Sequence, residues 1–180
     1  MNFDKFNKQL QSGDYARSNL FEVEISAPPI LRFAGADIPD TMKFMVKAAA
    51  LPGKQLGEQQ IKRFGAQFKM ANEMIVDTLP LTIMCSKDMR ERDWFDAWIS
   101  VIHGAGLGSS NLYRNLYYDM YNTTVRITSL NRKLKEEYSI QLLEAWPNNM
   151  GQVELSWDNS EVSTFTLTLA FRDWVSVQTD

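Results

Sequence analysis

The sequence predicts a mainly β fold, a β-rich α+β chain built as an antiparallel sandwich or barrel of about seven strands with one main α-helix. Three observations predict it. Apolar and polar residues alternate in several short segments, most clearly over Thr164 to Phe171, where Phe165, Leu167, Leu169 and Phe171 point one way and Thr164, Thr166 and Thr168 the other. Clusters of Pro, Gly, Asn and Asp separate these segments. Only one stretch, 86–104, sustains apolar residues at helical spacing.

From the N-terminus, Phe3, Phe6 and Leu10 stand three and four apart, so residues 3–11 read as a short amphipathic helical segment, ending at Gly13, within an N-terminal arm 1–19 that must dock on something to be stable. Phe21, Val23 and Ile25 then alternate with Glu22, Glu24 and Ser26, the pattern of a half-buried strand. Pro28, Pro29, Gly35 and Pro39 mark 27–41 as a long loop or insertion. Met42 to Leu51 reads as a strand stopped by Pro52-Gly53, and residues 58–70 as another, bent at Gly65. Leu79, Leu81 and Ile83 alternate within Val76 to Met84. Pro80 cannot donate to a ladder, so that strand is expected at an edge or with a bulge.

In the helix, Asp88 and Glu91 have the spacing of a capping box. Trp94, Phe95, Trp98, Ile99 and Ile102 form the apolar stripe, Gly104 is the natural C-cap, and Asp88, Glu91, Asp93 and Asp96 are expected on the solvated face. Residues 105–121, with Tyr113, Tyr117, Tyr118 and Tyr121, read as a structured loop. The C-terminal part, 122–177, is a set of β-hairpins. Thr123 to Ser129 leads to a tip at Asn131-Arg132-Lys133 and a return strand Glu137 to Leu143. A turn follows at Trp146 to Gly151. Val153, Leu155 and Trp157 then alternate as a further strand before Asp158-Asn159-Ser160 and the final strand. Residues 1–180 are thus expected to form a single domain.

Composition narrows the function. The 180 residues are 44% apolar and 23% charged with a net charge of −3, which argues against a general polyanion binder. Cys85 and His103 are each the sole residue of their type. No disulfide within the chain, no Cys/His zinc set and no His-paired nucleophile can be assembled from them. The N-terminal residues lack the apolar run of a signal peptide, and no stretch reaches the roughly 18 apolar residues of a membrane helix. A soluble protein made in a reducing cytoplasm is expected.

No phosphate-binding loop is present: Gly104-Ala105-Gly106-Leu107-Gly108 follows a helix and lacks the Lys-Ser/Thr ending. Cys85 reads as a small core residue and His103 as a partner of the last helical carbonyls. The tyrosines of 113–121 suit a packed loop or a protein–protein contact. With no catalytic constellation, cofactor site or metal set, the expectation is a non-enzymatic protein. Open sheet edges, hairpins and an N-terminal arm suit edge-to-edge addition between copies, and a heterologous contact repeated by rotation closes a ring.

Two segments go further. Ser12-Gly13-Asp14-Tyr15-Ala16-Arg17-Ser18-Asn19-Leu20-Phe21-Glu22-Val23-Glu24-Ile25 resembles the N-terminal signature of tail tube proteins from contractile-tailed, T-even-like bacteriophages. The run Leu143-Glu144-Ala145-Trp146-Pro147-Asn148-Asn149-Met150-Gly151, with Leu155-Ser156-Trp157-Asp158 and Thr164 to Ala170, is similar to that family's closing hairpin. Lys47 to Pro52 and Asp93-Trp94-Phe95 fall in matching order between them. Residues 27–41 exceed the family's first hairpin loop, and 105–121 depart from the family.

The resemblance implies a structural virion protein, assembled in the host cytoplasm. Its hexameric rings would stack into a hollow tube that conducts genomic DNA without binding it specifically, inside a contractile sheath. Implied partners are the sheath protein, a baseplate tube initiator, a tape measure protein and a tail terminator. The resemblance also implies an acidic lumen, for which Glu22, Glu24 and Glu154 are candidates, and ring-stacking contacts, for which Phe3, Phe6, Leu10, Tyr15 and Arg17 are candidates. The alternatives are a baseplate tube initiator or the tube of a related contractile injection particle, with residues 27–41 as the extra segment. A carbohydrate-binding β-sandwich using Trp and Tyr platforms is the reading from a different class.

Overall fold

The alternation of Phe21 to Ile25 gives strand β1 (Phe21–Ile25), with Val23 and Ile25 buried and Glu24 exposed. The computed structural model describes residues 18–33, 42–63, 65–104, 116–158 and 160–177, together with Phe3. After β1 come two short helices, α1 (Pro29–Phe33) and α2 (Met42–Met45), then β2 (Val46–Ala49), β3 (Gln55–Arg63), β4 (Ala66–Ile75) and β5 (Leu79–Met84). Helix α3 (Arg90–Ile102) and a single turn, α4 (Tyr118–Tyr121), precede β6 (Thr123–Leu130), β7 (Glu136–Met150), β8 (Thr164–Ala170) and β9 (Asp173–Val177).

All strand pairs among the described residues are antiparallel, and seven strands form one sheet in the order β1-β6-β7-β8-β5-β2, with β9 also on β7. The 15-residue β7 organises this sheet. Its first half pairs with β6 and β9, and its second half, Trp146 to Met150, pairs with β8. Glu144 lies between the halves at φ 55, a left-handed conformation that turns the strand from one layer to the other. Leu79, Leu81 and Ile83 of β5 and Phe165, Leu167 and Leu169 of β8 share one core with Val23, Val125, Ile127, Ile140 and Leu142.

Helix α3 closes that core. Phe95 and Trp98 are fully buried, and the Phe95 ring meets Phe165 at 6.2 Å, edge to face. Each such aromatic contributes about 1.5–3 kcal/mol of burial free energy. The Trp98 indole N–H donates to the Tyr121 carbonyl at 2.9 Å, so α4 is tied to the helix that it packs beside. Gly104, at φ 78, ends the helix as the sequence predicts, with its N–H on the Val101 carbonyl.

Several expectations are corrected. Residues 42–51 begin as helix α2 because Met42 turns into the core, and a short apolar run does not distinguish helix from strand. Residues 58–70 are two strands: Gly65, at φ 83, reverses the chain so that Arg63 pairs with Ala66. Strand β5 is interior, between β8 and β2; Pro80 is tolerated because it lies just past Leu81, the last residue paired to β2.

The capping box does not form. Met89 precedes the helix at φ 51 without a side-chain cap, and Asp88 pairs with Arg90 at 3.3 Å. Glu91 leaves the solvated face and is buried, accepting the Ser86 N–H at 3.0 Å. Trp146 to Met150 is strand instead of turn; a register shift between Pro147 and Asn149 accommodates the proline. Among the described residues, 151–156 have no partner strand, so the alternation of Val153, Leu155 and Trp157 produces no strand there. Strand β9 is an addition to the predicted set. In the long 27–41 segment, Ile30 and Leu31 of α1 are buried in the core, so the first half of that segment serves the fold.

Candidate assembly surfaces

Three surfaces of the molecule carry side chains that its own core leaves uncovered. The first is the β3–β4 hairpin. Opposite pairs share a face in an antiparallel ladder, so Gln59 with Met70 and Ile61 with Phe68 lie on one face. Glu58 with Ala71, Gln60 with Lys69 and Lys62 with Gln67 lie on the other, where Lys69 forms an ion pair with Glu58. Phe68 and Met70 remain 44% and 49% exposed on the apolar face. A two-stranded ribbon is marginal in water without a layer against its apolar side.

The second surface is the outer face of β1, β6 and β7. Glu22 and Glu24 stand opposite the buried Val23 and Ile25, beside Thr128 and Arg126 of β6. Both carboxylates keep cationic neighbours: the Lys43 ammonium is 3.5 Å from Glu22, and Arg126 is the cross-strand partner of Glu24. Arg126 is itself fixed, donating to the Ser139 hydroxyl and the Glu136 carboxylate at 2.7 Å each. This face therefore carries mixed charge. Glu154 does not join it, because it sits in the irregular segment after β7 and not on a strand.

The third surface is the connection between β7 and β8, residues 151–163, where Leu155 is 76% exposed and Trp157 wholly so. The strand alternation placed these side chains on a buried face; without a partner strand they face water. A groove of 650 Å³ beside them is lined by Glu154, Ser156, Glu161, Thr164 and Thr166 among others. Strand edges of the seven-stranded sheet are also open: among the described residues β1, β2 and β9 are each paired on one side only.

Of the ring-stacking candidates, Phe3 is exposed, while Phe6, Leu10, Tyr15 and Arg17 lie outside the described residues, as does Tyr113. The signal for the hairpin was present in the sequence, in Ile61, Phe68 and Met70 flanking Gly65, but a one-strand reading hides the reversal.

Among the described residues no group of three or more His, Cys, Asp or Glu is placed to hold a metal, and no helix is long and apolar enough to cross a membrane. Burial pushes the half-buried Cys85 thiol up, with Glu91 adding to the shift, away from thiolate chemistry. Burial and the neighbouring Glu144 likewise raise Tyr118, whose hydroxyl donates to the Glu144 carbonyl at 3.2 Å. The Trp174 N–H, at 2.7 Å, and the Lys54 ammonium hold Asp173 below the ordinary carboxylate range.

Comparison with known proteins agrees with this architecture. A family model described as "Phage tail tube protein" matches residues 16–177. The chain is 28% identical to tail tube protein gp19 of Enterobacteria phage T4 over 173 residues, covering 95% of this chain and 98% of that protein. Identity to tail tube protein gp19 of Enterobacteria phage T6 is also 28%, over 176 residues, with the same coverage. Among solved structures, the sheath–tube complex of the extracellular contractile injection system PVC, in its extended state, shares the fold. Its TM-score is 0.65 at 13% identity, covering 96% of this chain and 97% of that one. The anti-feeding prophage baseplate gives 0.61 at 16% identity, covering 92% and 97%. With the match running from the arm before β1 to the end of β9, the chain belongs to the phage tail tube protein family and is a structural component of the virion tail.

Proposed function

We propose that copies of this chain close into hexameric rings that stack into a hollow tube, through which genomic DNA leaves the particle inside a contractile sheath. The observation that carries this reading is the match to tail tube proteins over residues 16–177, in a fold that leaves three strand edges and one amphipathic hairpin unpartnered. Edge-to-edge addition satisfies the open backbone groups, and the apolar face of the β3–β4 hairpin packs on a neighbouring copy. Sheath, tube initiator, terminator and tape measure protein are the partners such a tube requires. The role is mechanical and involves no catalysis.

In this reading the Glu22/Glu24 face of β1 turns to the lumen. Carboxylates there repel phosphates, and a conduit needs weak binding so that its cargo leaves. Lys43 and Arg126 moderate the charge without reversing it. Glu154, in the irregular connection after β7 instead of on this face, belongs to the contacts between rings. Glu22→Lys combined with Glu24→Lys is expected to leave tubes intact and to slow genome ejection severalfold at low salt, measured by dye-reported DNA release. Ejection at the unmodified rate from such particles refutes the lumen assignment.

A further inference from the structure

Residues 131–135 and 151–158 flank the 15-residue β7 on the β6–β7–β8 path, the first before and the second after it, and β7 changes layer at Glu144. Where neighbouring copies pair by their strand edges, the ring runs across the strands, and the strand ends point at the rings above and below. The inference below rests on that stacked-ring reading.

The two ends are opposite in charge. The β6–β7 tip brings together Arg132, Lys133 and Lys135, and Glu136 beside it is engaged by Arg126; over 126–137 four basic residues face two acidic ones, Glu136 and Glu137. The β7–β8 connection carries Glu154, Asp158 and Glu161, and no Lys or Arg occurs from Ala145 to Phe171; Arg92 donates to the Gly151 carbonyl at the base of the loop.

Each end also presents an apolar side chain at its apex. Leu134 is 69% exposed at the tip, while Leu155 and Trp157 stand out from the acidic loop. Local hydrogen bonds shape both apices. The Asn131 carboxamide oxygen accepts the N–H groups of Lys133 and Lys135 at 2.8 and 3.0 Å, and the Asp158 N–H donates to the Ser156 hydroxyl at 3.2 Å. Leu134 holds φ 57, a left-handed conformation that glycine adopts without strain. A strained, exposed leucine points to a role outside the monomer.

We propose that the Leu134 tip of one copy docks on the Leu155–Trp157 loop of a copy in the adjacent ring, with Lys133 and Lys135 against Glu154 and Asp158. The contact joins two different surfaces, so it propagates along the axis without closing and gives the tube a direction. An indole buries roughly 150–250 Å² when covered, and the contact repeats around every ring.

The test uses the full chain carrying Cys85→Ser, Leu134→Cys and Trp157→Cys. Oxidised tubes are expected to give, on a denaturing gel, a ladder of covalent multimers extending beyond six copies; monomer alone from well-formed tubes overturns the contact. As a second test, Lys133→Glu with Lys135→Glu, or Glu154→Lys with Asp158→Lys, is expected to leave rings but cut tube mass at least tenfold. Combining all four is expected to restore tubes. Full-length tubes from either charge-reversed pair overturn the contact and leave the ring reading standing. Unmodified protein that builds neither rings nor tubes removes both.

Discussion

Glu91 shows how one side chain can be legible in type and misplaced in role. Its position three residues after Asp88 suggested a reciprocal cap, yet the carboxylate is 1% exposed and accepts the Ser86 N–H ahead of the helix. Burial alone would raise its pKa, but the Ser86 hydrogen bond and the Arg90 charge outweigh burial and hold it below the ordinary glutamate value. A depressed folded-state pKa stabilises fully above the unfolded value and stabilises less as pH falls through that value toward the folded one. Glu91→Ala is therefore expected to cost about 1–3 kcal/mol in urea unfolding at pH 7, with the difference from the unmodified chain shrinking in acid; a cost unchanged down to pH 3 contradicts the assignment. Leu134 poses the converse case, a residue that the monomer does not need. Leu134→Gly is expected to raise monomer stability by about 0.5–1 kcal/mol, because the left-handed strain disappears. A lower melting temperature for that variant would show that Leu134 packs within its own chain.

Elements were legible where one periodicity ran unbroken between clear stops. Strand β8 follows its pattern closely, since Phe165, Leu167 and Leu169 alternate strictly, and helix α3 buries Trp94, Phe95 and Trp98 of the predicted stripe, although Glu91 and Val101 are buried with them. Strand β7 was cut short because Pro147, Asn148 and Asn149 have turn chemistry, which a bulge against β8 absorbs. The β3–β4 hairpin is hidden in the sequence because a reversal at Gly65 and a bend within one strand look alike there. In the stacked-ring proposal its exposed apolar face packs on a neighbouring copy. Phe68→Asp with Met70→Asp is expected to leave the melting temperature of the monomer within about 2 °C, since surface changes away from the core cost little, and to abolish higher assemblies in sedimentation. Assembly at the unmodified level would show that this face stays in solvent.

For the whole molecule, the fold class and the tail tube family were both present in the sequence, the first in its alternation and the second in the Ser12–Ile25 and Leu143–Gly151 signatures. The assembly surfaces were not, because exposure depends on which strands find partners. Leu155 and Trp157 carry a strand's pattern and become surface only because no strand pairs with them. A monomer with three open edges, an uncovered hairpin face and oppositely charged ends is a part of a larger object. Cryo-electron microscopy of the purified chain over rising concentration tests that claim most directly. Stacked six-fold rings around an open channel, with the β3–β4 hairpin covered by a neighbouring copy, are the expected result. A monomer at every concentration, or a filament with no channel, would contradict it.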